Sequence, residues 1–203
     1  MNSKLVFFLG PAGAGKTTLA KALASRRKCA FFDMDVLMRP ASDVIMTMLG
    51  LDPNDRDSAD YKKYCRDLGY RLTMDAALDN VELGVDSFVV GPFTKEAANP
   101  GWIAEELAKI GRTTEEVDVY VVLVHLANEE LYRSRIEGRH LKLDEWKLRN
   151  WEQFRAALNV RSVTWPLPEG RVLKIDNSSP DVNATALELE RQLYAGSAEA
   201  ARP

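Results

Sequence analysis

One stretch limits the folds open to this chain more than any other: Gly10-Pro11-Ala12-Gly13-Ala14-Gly15-Lys16-Thr17. It lies between the apolar run Leu5-Val6-Phe7-Phe8-Leu9 and the segment Thr18-Leu19-Ala20-Lys21-Ala22-Leu23. The spacing is that of a phosphate-binding loop, with Gly, four free positions, then Gly-Lys-Thr. The flanks read as a strand before and a helix after, which is the context the pattern requires. Glycines at 10, 13 and 15 open dihedrals closed to other residues, so successive N–H groups can curl around an anion. A helix opening near Lys16 adds its positive dipole end at the same spot. Gly10, Gly13, Ala14, Gly15, Lys16, Thr17 and Thr18 are therefore the expected nucleotide-binding residues. Lys16 is placed to reach the β- and γ-phosphates, and the Thr17 hydroxyl to ligate Mg²⁺.

Composition narrows the setting. The chain has 203 residues, 46% hydrophobic and 28% charged, with a net charge of −3, which suits one α/β domain with a substantial core. That charge offers no broad basic field for nucleic acid or an anionic membrane. No apolar run approaches the roughly twenty residues of a membrane helix, and the N-terminus lacks a signal-peptide layout. Cys29 and Cys65 fit no metal-ligand spacing, and a single pair is no disulfide framework. Reduced thiols in the cytoplasm are the expectation.

Along the chain, strands are predicted at 4–9, 30–35, 86–91, 117–124 and 171–175. Helices are predicted at about 16–27, 42–49 (capped by Ser42), 59–83, 100–110, 128–137, 144–158 and from Pro180 to about Tyr194. Strands alternating with helices over short connections specify a five-stranded parallel sheet with helices on both faces, a three-layer α/β fold. The predicted domain spans 1–195, and 196–203 reads as a loose tail. Two excursions leave this frame, at 36–83 and at 138–147.

Ligands of open parallel sheets sit beyond the carboxyl ends of the strands. The candidates are thus Gly10 to Thr17, Asp33 and Asp35, Gly91 to Lys95, His125, and Asp176 to Pro180. On an extended segment Asp33 and Asp35 point to one side. Facing the phosphates, one carboxylate can hold the water shell of Mg²⁺, which takes few protein ligands. The other can orient an acceptor hydroxyl or take its proton. In the 36–83 excursion Arg39, Arg66 and Arg71 can pair with an anionic acceptor. An Arg66-Asp67 pair and the rings of Tyr61, Tyr64 and Tyr70 lie in the same region.

The loop Gly-Pro-Ala-Gly-Ala-Gly-Lys-Thr-Thr, followed by Phe-Phe-Asp-Met-Asp, resembles the small P-loop kinases of the shikimate and gluconate kinase type. Chloramphenicol phosphotransferase and nucleoside monophosphate kinases are more distant members of that class. The specific part of the resemblance covers about the first 35 residues. It implies the P-loop NTPase fold, Mg²⁺ held through water by Asp33, and the accepting hydroxyl bound by Asp35. The second excursion, Arg133-Ser134-Arg135-Ile136-Glu137-Gly138-Arg139-His140, then corresponds to a lid whose arginines contact the ATP phosphates. Arg135 and Arg139, four apart and on one face of a helix that reaches both, are the choice, with Arg133 in reserve. Asn177 and Ser178, after the last strand, stand where these kinases pack the adenine. Gly91 and Phe93 stand where shikimate kinases carry a Gly-Gly-Gly run, a departure that argues against shikimate as the acceptor. The layout is closer to proteins described as P-loop ATP-binding or AAA-family. No carboxylate ends the third strand, so Asp33 takes over that role.

The function expected is Mg²⁺- and ATP-dependent phosphoryl transfer to the hydroxyl or phosphate of a small metabolite, by a monomer or homodimer. Lys16, Asp35, Arg135 and Arg139 are the catalytic set, and Thr17 and Asp33 the metal set. Asp35, Arg39, Arg66, Arg71, Gly91 and Phe93 form the acceptor set. The alternative is a nucleotide-dependent switch or assembly NTPase without a small acceptor. A nucleic-acid end kinase would need a basic groove that the charge balance does not provide.

Overall fold

The structure is a computed structural model that describes residues 2–156, 158 and 162–194. The predicted boundary at 195 and the tail at 196–203 lie outside the described residues. The sheet has five strands: β1 (Lys4–Leu9), β2 (Ala30–Asp33), β3 (Ser87–Val90), β4 (Asp118–His125) and β5 (Val172–Asp176). All pairings are parallel, in the order β2-β3-β1-β4-β5.

Every position of β1 is buried, as a central parallel strand covered on both faces requires. Its period-two alternation divides the core. Val6 and Phe8 pack with Leu19 and Leu23 of α1 (Lys16–Arg27) and with Leu189 and Leu193 of the last helix, Val182–Tyr194. Leu5, Phe7 and Leu9 pack on the other side with Met74, Leu78, Ile103 and Leu107. One strand thus feeds two cores, and the three-layer fold predicted from the sequence follows.

The second face is covered by a longer run of helices. Where the sequence predicts a strand through Asp35 and a helix from Ser42, β2 ends at Asp33 and α2 runs from Met34 to Met48. Asp33 is the reason: its carboxylate accepts from the backbone N–H groups of Asp35 and Val36 at 3.0 and 3.4 Å and so caps the helix. Pro40 sits inside α2 on the exposed side, where solvent can serve the carbonyl its missing N–H leaves unpaired. Ser42 caps nothing; it is buried and its hydroxyl donates to the Arg39 carbonyl at 2.9 Å. The predicted 59–83 helix is present as α3 (Ala59–Tyr61), a π-turn at Lys62–Arg66 and α4 (Asp67–Glu82). Beyond β3 come α5 (Thr94–Ala97), which has no counterpart in the sequence pattern, and α6 (Trp102–Ala108).

After β4, Asn128 caps α7 (Glu129–Glu137) by accepting from the Leu131 N–H at 3.0 Å. The predicted 144–158 helix is divided into a 3₁₀ turn (Lys142–Asp144), α8 (Glu145–Arg149) and α9 (Trp151–Arg155). The last helix is α10 (Val182–Tyr194). Its first turn is held by Asp181, which accepts from the N–H groups of Asn183 and Ala184 at 3.0 and 3.1 Å. No helix among the described residues is long and apolar enough to cross a membrane.

The end of β3 departs from the acceptor-side role expected of Gly91 and Phe93. The Phe93 ring is fully buried, edge-on to Phe7 at 5.5 Å and tilted on Tyr70 at 4.7 Å. Its backbone sits at φ 38°, in the left-handed region. A Cβ on Gly91 would come within 2.7 Å of that ring, so glycine is needed for Phe93 to turn back into the core. Gly91→Ala is expected to destabilise the fold by about 1–3 kcal/mol through overpacking. Urea unfolding checks this, and an unchanged midpoint would contradict it.

Candidate active site

The phosphate cradle is built on β1, the central strand. Gly10 passes so close to β4 that a Cβ there would overlap the Val124 carbonyl oxygen. Gly15, at φ 85°, precedes α1, and a Cβ on it would run into the side chains of Asn177 and Arg135. These glycines fold the loop flat against β4 and the β5 turn. No side chain caps α1 and no acid lies in its first turn, so its first N–H groups are left for an anion. Lys16 bends back across the loop, donating from Nζ to the Pro11 carbonyl at 2.8 Å.

Asp33 connects the cradle to the opposite wall. Its Oδ2 accepts from the Thr17 hydroxyl at 2.7 Å while Oδ1 holds the start of α2. Thr17 and Asp33 thus present a hydroxyl and a carboxylate oxygen side by side, the hard donor set that suits Mg²⁺. Asp35 does not share a strand face with Asp33, because it lies in the first turn of α2. Its side chain is 67% exposed and faces Arg56, with Nη1 to Oδ1 at 3.8 Å.

Arg56 is a candidate that the sequence hides. Its side chain is only 12% exposed, and Nε is buried with no hydrogen-bond partner among the described residues. The guanidinium lies 5.8 Å from the centre of the Tyr61 ring. Burial pushes the Tyr61 phenol up, with Arg56 pulling it down and Asp35 adding to the rise, so the three share one environment. Arg56 belongs to the polar break before α3, where no periodicity marks a residue as inward-facing. The arginines singled out by sequence lie differently. Arg39 is exposed on α2. Arg66 pairs with its neighbour Asp67 at 3.0 Å. Arg71 ties α4 to α6 through Glu106 at 2.8 Å and pairs with Asp75 of its own helix at 2.7 Å.

On the other side of the cradle, Arg135 of α7 donates from Nη2 to the Asn177 carbonyl at 2.8 Å, with Nη1 beside Gly15. Asn177 is buried; its Nδ2 donates to the Ala14 carbonyl at 2.9 Å and its N–H to the His125 carbonyl at 2.9 Å. The β4 end, the β5 turn, the loop and Arg135 are therefore one hydrogen-bonded unit. Ser178 accepts from the Ala127 N–H at 2.7 Å and donates to Asp176. That hydroxyl is the first cause holding the Asp176 carboxyl below its ordinary range. Because α7 ends at Glu137, Arg139 lies beyond it and shares no helix face with Arg135. Its Nη1 faces Asp144 Oδ2 at 3.8 Å. Arg133 is held in an exposed pair with Glu137 at 2.9 Å, and the adjoining His140 is exposed.

Comparison with known proteins gives this site its family. The model of a family described as AAA domain (AAA_33) matches residues 5–160. No curated protein sequence matches the chain. Among solved structures, a putative kinase from Chloroflexus aurantiacus J-10-fl has a TM-score of 0.63 at 16% identity, covering 95% of this chain and 99% of that one. A sugar kinase from Janibacter sp. HTCC2649 has a TM-score of 0.61 at 16% identity, with 97% of each chain covered. The APS kinase of Mycobacterium tuberculosis, solved with AMPPNP and APS, has a TM-score of 0.55 at 17% identity, covering 95% of this chain and 98% of that one. With a glycine cradle closing its central strand and a parallel sheet of the P-loop kinase fold around it, the chain belongs to the AAA-domain family.

Proposed function

We propose that the protein transfers the terminal phosphoryl group of ATP to an oxygen of a small metabolite, with Mg²⁺ at Thr17 and Asp33. The observation that carries this reading is that both oxygens of the Asp33 carboxylate accept hydrogen bonds, from opposite sides of the site. One oxygen sits on the cradle hydroxyl and the other fixes the helix turn that carries Asp35, so the donor and acceptor sides are set by one group. The ion, when bound, neutralises charge on the phosphates and holds them in place. The cradle N–H groups and Lys16 bind the β- and γ-phosphates, and Arg135 lies against the same loop. Asp35 accepts the proton of the acceptor hydroxyl as its oxygen forms a bond to the γ-phosphorus. The bond to the β,γ-bridging oxygen breaks, and ADP leaves. Such transfer is chiefly positioning and charge neutralisation.

The acceptor side supports a metabolite that carries an anionic group in addition to its hydroxyl. Arg56 has a buried Nε with no partner among the described residues, its Nη1 faces Asp35, and Tyr61 gives it an aromatic wall. A planar guanidinium of this kind suits a carboxylate or phosphate. A soluble metabolite acceptor and a cytoplasmic setting belong to the same reading.

ADP release from Mg·ATP across a panel of hydroxylated carboxylates and sugar phosphates tests it. Stimulation by one of them supports transfer, whereas release stimulated only by a protein partner contradicts it and favours a switch. With that acceptor, Lys16→Ala and Asp35→Asn are each expected to lower kcat by about 10²–10³ or more. Unchanged turnover in Asp35→Asn would remove that residue from the mechanism. Arg56→Met is expected to raise the acceptor KM by about tenfold to a hundredfold with a smaller change in kcat, as loss of uniform binding does. Steady-state kinetics with the acceptor varied reads this, and an unchanged KM would contradict the anion site.

A further inference from the structure

The lid segment holds a buried carboxylate to which the chemistry above gives no task. Asp144 closes the 3₁₀ turn before α8 and is 4% exposed. Its Oδ1 accepts from Lys147 Nζ at 2.9 Å. Its Oδ2 is buried and has no hydrogen-bond partner among the described residues. The cation facing Oδ2 is Arg139, with Nη1 at 3.8 Å, close enough for an ion pair and too far for a hydrogen bond.

Two physical points make this arrangement informative. A carboxylate withdrawn from water is stable only when its oxygens are paired, and here half of its accepting capacity is open on the side of Arg139. Lys147 lies three residues along the same arm of the lid, whereas Arg139 comes from the other arm, just past the end of α7. The following residue, His140, is at φ 51°, so the chain turns sharply there and no helix fixes the guanidinium, which is 39% exposed. Arg135, by contrast, is already seated on the cradle.

We propose that Asp144 is a positioning residue for Arg139. Its open Oδ2 takes one edge of the guanidinium as the lid closes, and the remaining donors are aimed at the terminal phosphate. Five donors in a rigid plane let one arginine serve a carboxylate and a phosphate together. The inference rests on the reading of Arg139 as a phosphate-contacting lid residue.

The test needs no acceptor. Dissociation constants of the non-hydrolysable ATP analogue AMP-PNP and of ADP, each with Mg²⁺, are measured by calorimetry for the wild type, Arg139→Ala, Asp144→Asn and the double variant. Arg139→Ala is expected to weaken AMP-PNP about tenfold and ADP much less. Asp144→Asn is expected to weaken AMP-PNP about fivefold, and the double variant to be no weaker than Arg139→Ala alone, the signature of coupled residues. A merely structural Asp144 would weaken both nucleotides alike and by the same factor in both backgrounds, which would overturn the proposal. Unchanged AMP-PNP affinity in Arg139→Ala would overturn it together with the phosphate contact of Arg139. A loss in Arg139→Ala with none in Asp144→Asn would overturn the positioning role alone. Should Asp144→Asn fail to fold, Asp144→Glu, which keeps the charge and moves it by one methylene, is read against Arg139→Ala in the same way.

Discussion

The carboxylate of Asp33 is the constraint on which the rest of the site depends. It ends β2, caps α2 and accepts from Thr17 on the phosphate loop. A strand end, a helix start and the cradle are thereby fixed by one buried group. Were Asp33 only a cap, α2 could begin at any angle to the cradle. Were it only a partner of Thr17, nothing would place Asp35. Because it is both, the exposed carboxylate of Asp35 and the buried guanidinium of Arg56 stand at a defined place relative to the phosphate loop.

The two ends of the sheet carry different work. At the amino ends of the strands, polar groups serve the fold. Asp86 accepts from the Tyr194 hydroxyl and from the Lys4 N–H, both at 2.8 Å, and Asp118 pairs with Lys4 and Arg171. Burial pushes the Asp118 carboxyl up, but those two cations bring it below its ordinary range. Burial pushes Cys29 up to about 12 and also raises Cys65, which disfavours the thiolate at both. At the carboxyl ends, Gly10 and Gly15 let the loop approach β4 and the β5 turn closely, and Arg135 lies against it.

What could be read from the sequence is what local chemistry decides. The phosphate loop, the buried β1, the stripe of α1 and the Asn128 cap each follow from residues adjacent in the chain. The places that could not be read depend on partners far away. Asp33 reads as a strand residue until Thr17 is beside it. Phe93 follows a strand end, where a ring can face ligand or core, and only Phe7 and Tyr70 decide. Arg56 lies in an aperiodic acidic stretch, so no pattern separates it from Arg66 or Arg71. The helix predicted over 128–137 does end at Gly138, so Arg139 lies beyond it and faces Asp144 rather than sharing a helix face with Arg135.

The most direct test of the account is the Mg²⁺ dependence of AMP-PNP binding to Asp33→Asn, measured by calorimetry against the wild type. Asparagine caps a helix about as well as aspartate, so the substitution leaves α2 in place and removes only the charge beside Thr17. The account predicts that Mg²⁺ strengthens binding to the wild type and does so far less in the variant, with metal-free affinities alike. An undiminished Mg²⁺ effect in Asp33→Asn would contradict it and leave Asp33 as a helix cap alone.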